Sequence, residues 1–219
     1  MKNYSDIEKS IKRWLKRKVK ITLGIIVAFL LGSSITLADS LYIKDGENGI
    51  EFSKDNSTWG ENPYSENIFA NNIYINKIEL KADKVTLVNK ATGISLLNKG
   101  RIIIDSNDNA WGIDNSKIIT TLYNDAGVLQ VKGTNNTTGI GNYSGTIGNL
   151  TNRGVMNIES LSGNVWGIDN SGEITKLENS GIFKVSGDSQ AVGVGNYNGT
   201  IGNLTNRLTI KCQVKNKKF

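Results

Sequence analysis

The 219-residue chain carries an internal repeat, and this repeat limits its fold more than any other feature. A glycine followed by apolar residues two and four positions later recurs four times, always 27 residues apart. These glycines are Gly100, Gly127, Gly154 and Gly181. Longer segments recur over two periods: residues 111–116 return as 166–171, and residues 145–153 as 199–207. Such a period indicates a supersecondary unit that is stacked on copies of itself.

Each unit contains three short alternations of apolar and polar residues, which are typical of strands with one buried face. The 24 glycines and 28 asparagines, against a single proline, favour turns between these strands. About 27 residues cannot enclose a core alone, but stacked units can when each strand pairs in parallel with its equivalent one turn away. We therefore predict an all-β chain that forms a parallel β-helix, a solenoid of about 27 residues per turn.

An asparagine lies two or three residues before each repeat glycine. Asparagine tolerates left-handed backbone, and its amide group can bond the equivalent amide of the next turn. A stacked asparagine ladder is the result. We predict structural roles for the four repeat glycines and for Asn98, Asn152, Asn179 and Asn206.

Residues 1–38 have the organisation of an export signal. They hold eight Lys or Arg against two acidic residues, so the formal net charge of +6 lies entirely in this segment. An apolar run over 21–31 follows the basic stretch, and small residues follow the run, so we predict an extended signal peptide cut between Ala38 and Asp39. The alternative is an uncleaved membrane helix over 21–37, which would leave the remaining chain in the periplasm.

The remaining chain divides into three predicted parts. Residues 39–93 lack the repeat glycine and are interpreted as an irregular lead-in or cap, residues 94–212 as the β-helix repeats, and residues 213–219 as a basic tail. The fifth unit has Leu208 where a glycine is due, and no capping pattern follows it. A solenoid that stops in mid-turn exposes an unpaired strand edge. We therefore hypothesise that the chain is the front piece of a longer protein, or a truncated copy of one.

The composition argues against most enzyme and metal chemistry. Histidine is absent and Cys212 is the single cysteine, which removes histidine-based and multi-cysteine sites. Asp114 and Asp169 occupy equivalent positions but lie two turns apart, roughly 9.6 Å, too far to share a metal ion. We predict no catalytic, metal or cofactor site. The chain beyond residue 38 has no net charge, so no nucleic-acid partner is expected.

Trp111 and Trp166 are also equivalent positions two turns apart. Core filling is the favoured interpretation, because each Trp is followed two positions later by an isoleucine on the other side of a glycine. The alternative is an exposed aromatic platform that binds sugars, since large exposed aromatics often mark binding surfaces. Cys212 is predicted at a core-type position, where a free cysteine acts as a small hydrophobe.

The long basic leader, the atypical lead-in and the Gly/Asn-rich turns together resemble the N-terminal passenger region of an autotransporter (type V secretion) adhesin. The resemblance covers residues 1–38 and 94–212. It implies export by the Sec machinery, passage through a C-terminal β-barrel, and display at the cell surface or release. The expected partners are a host-cell or matrix surface, or other bacterial cells. A barrel is missing after residue 212, so it would be encoded elsewhere or lost.

Two other classes remain open. A β-helix enzyme acting on polysaccharides would cluster carboxylates with Arg or Lys in a groove, whereas the acidic residues here are scattered. A trimeric adhesin head or stalk shares the signal type, but its repeats are typically shorter. A structural and adhesive role without enzymatic activity is the prediction that the sequence favours.

Overall fold

A computed structural model of the chain describes residues 41–46, 49–53, 57–60, 67–69, 72–81 and 86–215. The predicted signal over 1–38, its cleavage site at Ala38 and Asp39, and the last four residues of the predicted tail lie outside these ranges. Within the described ranges, no helix is long and apolar enough to cross a membrane.

The first four strands are β1 (Leu41–Gly46), β2 (Gly49–Ser53), β3 (Asn67–Phe69) and β4 (Asn72–Lys81). The later strands form three faces of a solenoid. Face 1 contains β5 (Leu87–Lys90), β7 (Ala110–Asn115), β10 (Thr137–Asn142), β13 (Asn164–Asn170) and β16 (Gln190–Asn196). Face 2 contains the first half of β6 (Thr92–Ser106), then β8 (Ile118–Asn124), β11 (Thr146–Asn152), β14 (Glu173–Asn179) and β17 (Thr200–Asn206). Face 3 contains the second half of β6, then β9 (Val128–Gly133), β12 (Val155–Ser160), β15 (Ile182–Gly187) and β18 (Ile210–Val214).

Every strand of a face pairs in parallel with its equivalent in the next turn. Strands in parallel sheets usually need a long crossover connection. Here the other two faces of the turn supply that connection. The predicted fold is confirmed: an all-β parallel solenoid of about five turns with about 27 residues in each turn.

The core is a set of columns that run along the solenoid axis. Ile104, Val131, Ile158 and Val185 align in consecutive strands of face 3, and each is at most 1% exposed. Burying a side chain of this size stabilises a fold by about 1.5–3 kcal/mol. The column that the repeat predicts is therefore a continuous apolar interior.

Antiparallel strands cover the N-terminal edge of two faces. β1 pairs in parallel with β5, and its other side pairs antiparallel with β2. β4 pairs in parallel with β6 across faces 2 and 3, and β3 pairs antiparallel with it. An antiparallel neighbour interrupts the parallel stack, and a covered edge is a weaker template for pairing with other chains. Parallel pairing thus reaches into the segment 39–93 as far as β1.

The last turn packs less tightly than the turns before it. Leu122, Leu150 and Leu177 align on face 2 and are at most 5% exposed, whereas Leu204, next in the same column, is 54% exposed. Within the described residues, β16, β17 and β18 each have a paired strand on one side only. Side chains of the last turn therefore lack the covering layer that protects the interior.

Candidate functional site

An asparagine ladder runs along the corner between faces 2 and 3. The amide of each asparagine donates to the Oδ1 of the next one, at 2.8 Å in every case. The ladder consists of Asn98, Asn124, Asn152, Asn179 and Asn206. All but the last are at most 7% exposed. The predicted ladder is confirmed, and the geometry shows that its role is to satisfy buried polar groups of the corner.

A second ladder runs along the corner between faces 1 and 2, and the sequence interpretation missed it. Its members bond in the same way at 2.7–2.8 Å. They are Asn89, Asn115, Asn142, Asn170 and Asn196. The signal was present, because an asparagine follows the mid-strand glycine of every unit at a fixed distance.

The repeat glycines stand beside the first ladder, where backbone layers approach closely. A Cβ at Gly127 would lie 2.6 Å from the carbonyl oxygen of Asn98. At Gly154 and Gly181 it would overlap the carbonyl oxygen of the glycine one turn before. The backbone N–H of Gly100 donates to the Asn98 side chain at 3.2 Å. These glycines therefore serve the stacking of corners.

Some corners hold one residue more than others, and the extra residue adopts left-handed backbone. Ala126, Ser144 and Asn198 have φ values of 56°, 63° and 62°, and each directly precedes a corner glycine. These insertions, together with one further residue in the corner between β12 and β13, explain why ladder neighbours are 26, 27 or 28 residues apart without any loss of register.

The outer surface of face 1 carries the tryptophans. In β7, Ala110, Gly112 and Ile113 are buried, whereas Trp111 and Asp114 are only partly buried. Two successive buried residues, Gly112 and Ile113, break the alternation, so Trp111 and Ile113 point to opposite sides of the sheet. β13 repeats the same pattern around Trp166 and Asp169. The favoured interpretation of the tryptophans as core residues is wrong, because neither is part of the buried cluster.

Two tyrosines complete this surface from the corners that follow β10 and β16. A Cβ at Gly141 would overlap the ring of Tyr143, and a Cβ at Gly195 would overlap the ring of Tyr197. Each tyrosine therefore folds back over a glycine of its own strand, at the level of the carboxylates. The outward residues of this surface, which we name the aromatic–acidic stripe, are Trp111, Asp114, Tyr143, Trp166, Asp169 and Tyr197.

Hydrogen bonds link neighbours within the stripe. The Tyr143 hydroxyl donates to Oδ2 of Asp169 at 3.1 Å, one turn away. The indole Nε1 of Trp166 donates to the Tyr197 hydroxyl at 3.2 Å. Tyr197 is 48% exposed, and the other stripe residues are partly buried. The stripe is thus an ordered surface with parts of its rings open to solvent.

The electrostatics of the stripe reflect its partial burial. Burial and the neighbouring Asp169 carboxylate raise the pKa of Tyr143 to about 12. Burial also raises the pKa of Asp114, and the positive charge of Lys90 partly opposes this rise. Desolvation disfavours the charged form of each group. Both side chains are held where hydrogen-bonding partners from solvent are limited.

The interior and the remaining described surface offer fewer features that could form a binding site. Two gaps between the described strands have volumes of about 10 and 20 Å³, room for roughly one water each. A hollow of about 290 Å³ beside Ile182 and Leu208 lies at the open C-terminal edge of face 3. Cys212 aligns with the core column through Val185, yet it is exposed because the last turn has no covering layer in the described chain. Among the described residues, no three metal-ligating side chains come together.

Comparison with protein-family models, with curated proteins and with solved structures gives no match for this chain.

Proposed function

We propose that this chain is the exported, surface-displayed or secreted passenger of an autotransporter-type adhesin, with a structural and adhesive role. The observation that carries the proposal is the continuous outward stripe of aromatic rings and carboxylates along one face of a solenoid. Aromatic residues are enriched in binding surfaces. The extended basic leader supports export, and the repetitive face supports many weak contacts with a host-cell surface, the extracellular matrix or another bacterium.

We also propose that the role is not enzymatic. The acid pair that came nearest to a catalytic arrangement, Asp114 and Asp169, lies two turns apart with β10 between its members. Tyr143 covers the surface between them, over Gly141, and its hydroxyl is bonded to Asp169. A hydrolytic carboxylate pair needs room for a sugar and a water molecule between its members. The tyrosine ring occupies that room.

Export and adhesion are tested separately. For export, the full chain with a C-terminal tag is produced in Gram-negative cells, and fractions and protease-treated intact cells are probed for the tag. We expect the chain outside the cytoplasm, with Asp39 as its first residue by N-terminal sequencing. For adhesion, beads coated with the purified chain are counted on host-cell monolayers and on matrix-coated wells. A chain retained in the cytoplasm, or beads that adhere no better than albumin-coated beads, would contradict the proposal.

A further inference from the structure

The solenoid has two different periods, one inside and one outside. The core columns repeat every turn, as Ile104, Val131, Ile158 and Val185 do. The stripe repeats every second turn: a tryptophan and an aspartate lie on β7 and β13, and a tyrosine over a glycine follows β10 and β16. Core packing requires only the one-turn period. The two-turn period of the stripe therefore needs another reason.

A comparison of the two halves within this chain shows where the two-turn period is kept. On face 1 the tryptophan, aspartate, glycine and tyrosine are identical in both halves, whereas Thr138, which pairs with the tryptophans, has Val192 as its two-turn equivalent. The outward residues of face 3 have changed at every two-turn equivalent, as in Gln130 and Lys184, Lys132 and Ser186. The identical set continues around one corner onto β11 and β17, which have the same sequence. If the identity of the two halves were only the remnant of a duplication, it would not be expected on one side of the solenoid only.

The chemistry of the kept residues suits a polyhydroxylated ligand. Aromatic rings provide flat apolar surfaces for the C–H faces of a sugar ring, and carboxylates accept hydrogen bonds from hydroxyl groups. Asp169 receives one such bond from Tyr143 at Oδ2, which leaves acceptor capacity on the same carboxylate. Asp114 is partly buried, so a ligand hydroxyl would restore a donor that solvent supplies poorly.

The spacing of the kept residues fits one ligand geometry. Two turns of parallel strands measure roughly 9.6 Å. A β1,4-linked glycan in its extended form repeats every disaccharide, over nearly the same length. One such chain lying along face 1 would present the same ring face and the same hydroxyl groups to each half of the stripe.

We infer that the stripe binds an extended β-linked glycan, with one disaccharide unit on Trp111, Asp114 and Tyr143 and the next on Trp166, Asp169 and Tyr197. This inference rests on the proposed adhesive function and names its ligand class. Each half of the stripe is one subsite, and the affinity for a long chain comes from occupying both subsites together.

Two other occupants fit the stripe less well. A polyproline II segment advances about 9.3 Å in three residues, which matches the spacing, and it also packs on aromatic rings. Its backbone offers carbonyl acceptors, however, and carboxylates such as Asp114 need donors. A cationic peptide would supply donors, but the positive charge of Lys90 already acts on Asp114 and would repel it.

The test is titration of the purified full chain with defined oligosaccharides, followed by calorimetry and tryptophan fluorescence. The probes are hexasaccharides and disaccharides of β1,4-linked glucose and of β1,4-linked N-acetylglucosamine. Three ligands of other geometry are titrated in the same way for comparison: an α1,4-linked glucose hexasaccharide, a polyproline peptide and an oligolysine peptide. We expect at least one β-linked hexasaccharide to bind, and to bind more tightly than its disaccharide, which can occupy one subsite only.

Variants locate the binding. Trp111→Ala and Trp166→Ala should each weaken hexasaccharide binding roughly tenfold, which is typical for the loss of an aromatic anchor. Each should also bring the hexasaccharide and disaccharide affinities close together, because one subsite remains. Tyr123→Ala, which removes an aromatic of face 2, is the matched control and should bind like the original chain. Circular dichroism verifies that each variant folds. The double variant Asp169→Asn/Tyr197→Phe is used in place of any Trp variant that does not fold.

Opposite results would overturn the inference. These are a folded chain that binds no β-linked hexasaccharide, hexasaccharide binding that both Trp variants leave intact, or preferential binding of the polyproline or lysine peptide. The outcome is distinct from that of the export experiment, because glycan binding is measured on purified chain. A displayed adhesin that binds no glycan would refute the ligand alone, and a glycan-binding chain retained in the cytoplasm would refute the display alone.

Discussion

At the scale of single residues, the corner asparagines hold neighbouring turns together. The Asn142 amide donates to Oδ1 of Asn170 at 2.7 Å and to the carbonyl oxygens of Gly145 and Glu173, both at 3.1 Å. Its own Oδ1 accepts from Asn115 at 2.8 Å. The side chain is fully buried, so each of these bonds replaces one that water cannot supply.

Removal of one member should therefore interrupt a whole ladder. Asn142→Ala leaves the Oδ1 of Asn170 without this donor, and the amide of Asn115 keeps Lys117 but loses its ladder acceptor. We expect the free energy of unfolding to fall by about 2–4 kcal/mol, since each buried group left unsatisfied costs about 1–3 kcal/mol. Denaturant unfolding measures this loss. Asn149→Ala, at an exposed position of β11, is the control and should change stability by less than about 0.5 kcal/mol.

For the corner residues with left-handed backbone we predict a gain in stability on substitution. Ala126 has a φ of 56°, a conformation that crowds its Cβ. Ala126→Gly removes that crowding, and we expect a gain of about 0.5–1 kcal/mol after the entropic cost of glycine. Asn198→Gly should gain less, because asparagine tolerates the same backbone. A thermal melt in which Ala126→Gly unfolds at a lower temperature than the original chain would contradict this explanation of the inserted residue.

At the scale of elements, the outer side of face 1 depends on how β10 and its corner position Tyr143. The hydroxyl group lies against Asp169 of β13, and its pKa is raised from 10.0 to about 12. Folding therefore favours the neutral phenol. The stability that this provides is complete below pH 10 and is lost as the pH rises toward 12, because the unfolded chain ionises first.

Tyr143→Phe should flatten this part of the pH dependence. We expect the unfolding free energy of the original chain to fall more steeply between pH 10 and 12 than that of the variant. Tyr197→Phe, whose ring is 48% exposed, is the matched control for loss of a hydroxyl from the stripe. Urea unfolding at several pH values measures the slopes. Equal slopes for Tyr143→Phe and the original chain would show that burial and the Asp169 carboxylate do not hold the phenol neutral.

Element-level packing also explains why the orientation of the tryptophans was not predictable. On a regular strand, Trp111 and Ile113 share a side, and the sequence interpretation assumed this regularity. The strand instead buries Gly112 and Ile113 in succession, because a Cβ at Gly112 would overlap the carbonyl oxygen of Gly139 and a methyl group of Val131 on face 3. The glycine belongs to a contact between two faces. The sequence of a single strand does not show such a contact.

At the scale of the whole molecule, stability is a sum over turns and their interfaces, since each turn contacts only its neighbours. The interior turns have a covered face on both sides. The last described turn has one, and Leu204 is 54% exposed where Leu177 is 4% exposed. Antiparallel strands β2 and β3 cover edges at the other end. The opening free energy should therefore decrease toward the last turn.

Hydrogen exchange followed by mass spectrometry measures this gradient. We expect backbone amides of β11 and β12 to exchange slowest and those of β17 and β18 to exchange fastest, because the latter bury fewer apolar contacts. β14 and β15 should lie between them. Uniform protection across all five turns would mean that the solenoid opens as a single cooperative unit and would refute the nearest-neighbour description.

The sequence alone determined the solenoid, its period and one asparagine ladder. These features follow from spacing, because residues such as Asn98 and Asn152, a whole number of periods apart along the chain, must stack when the units stack. Only the tertiary structure decided which way Trp111 points, where Tyr143 lies, and that a second ladder exists. Those outcomes depend on contacts between different faces of a turn, and repeat spacing along the chain carries no information about contacts across the core.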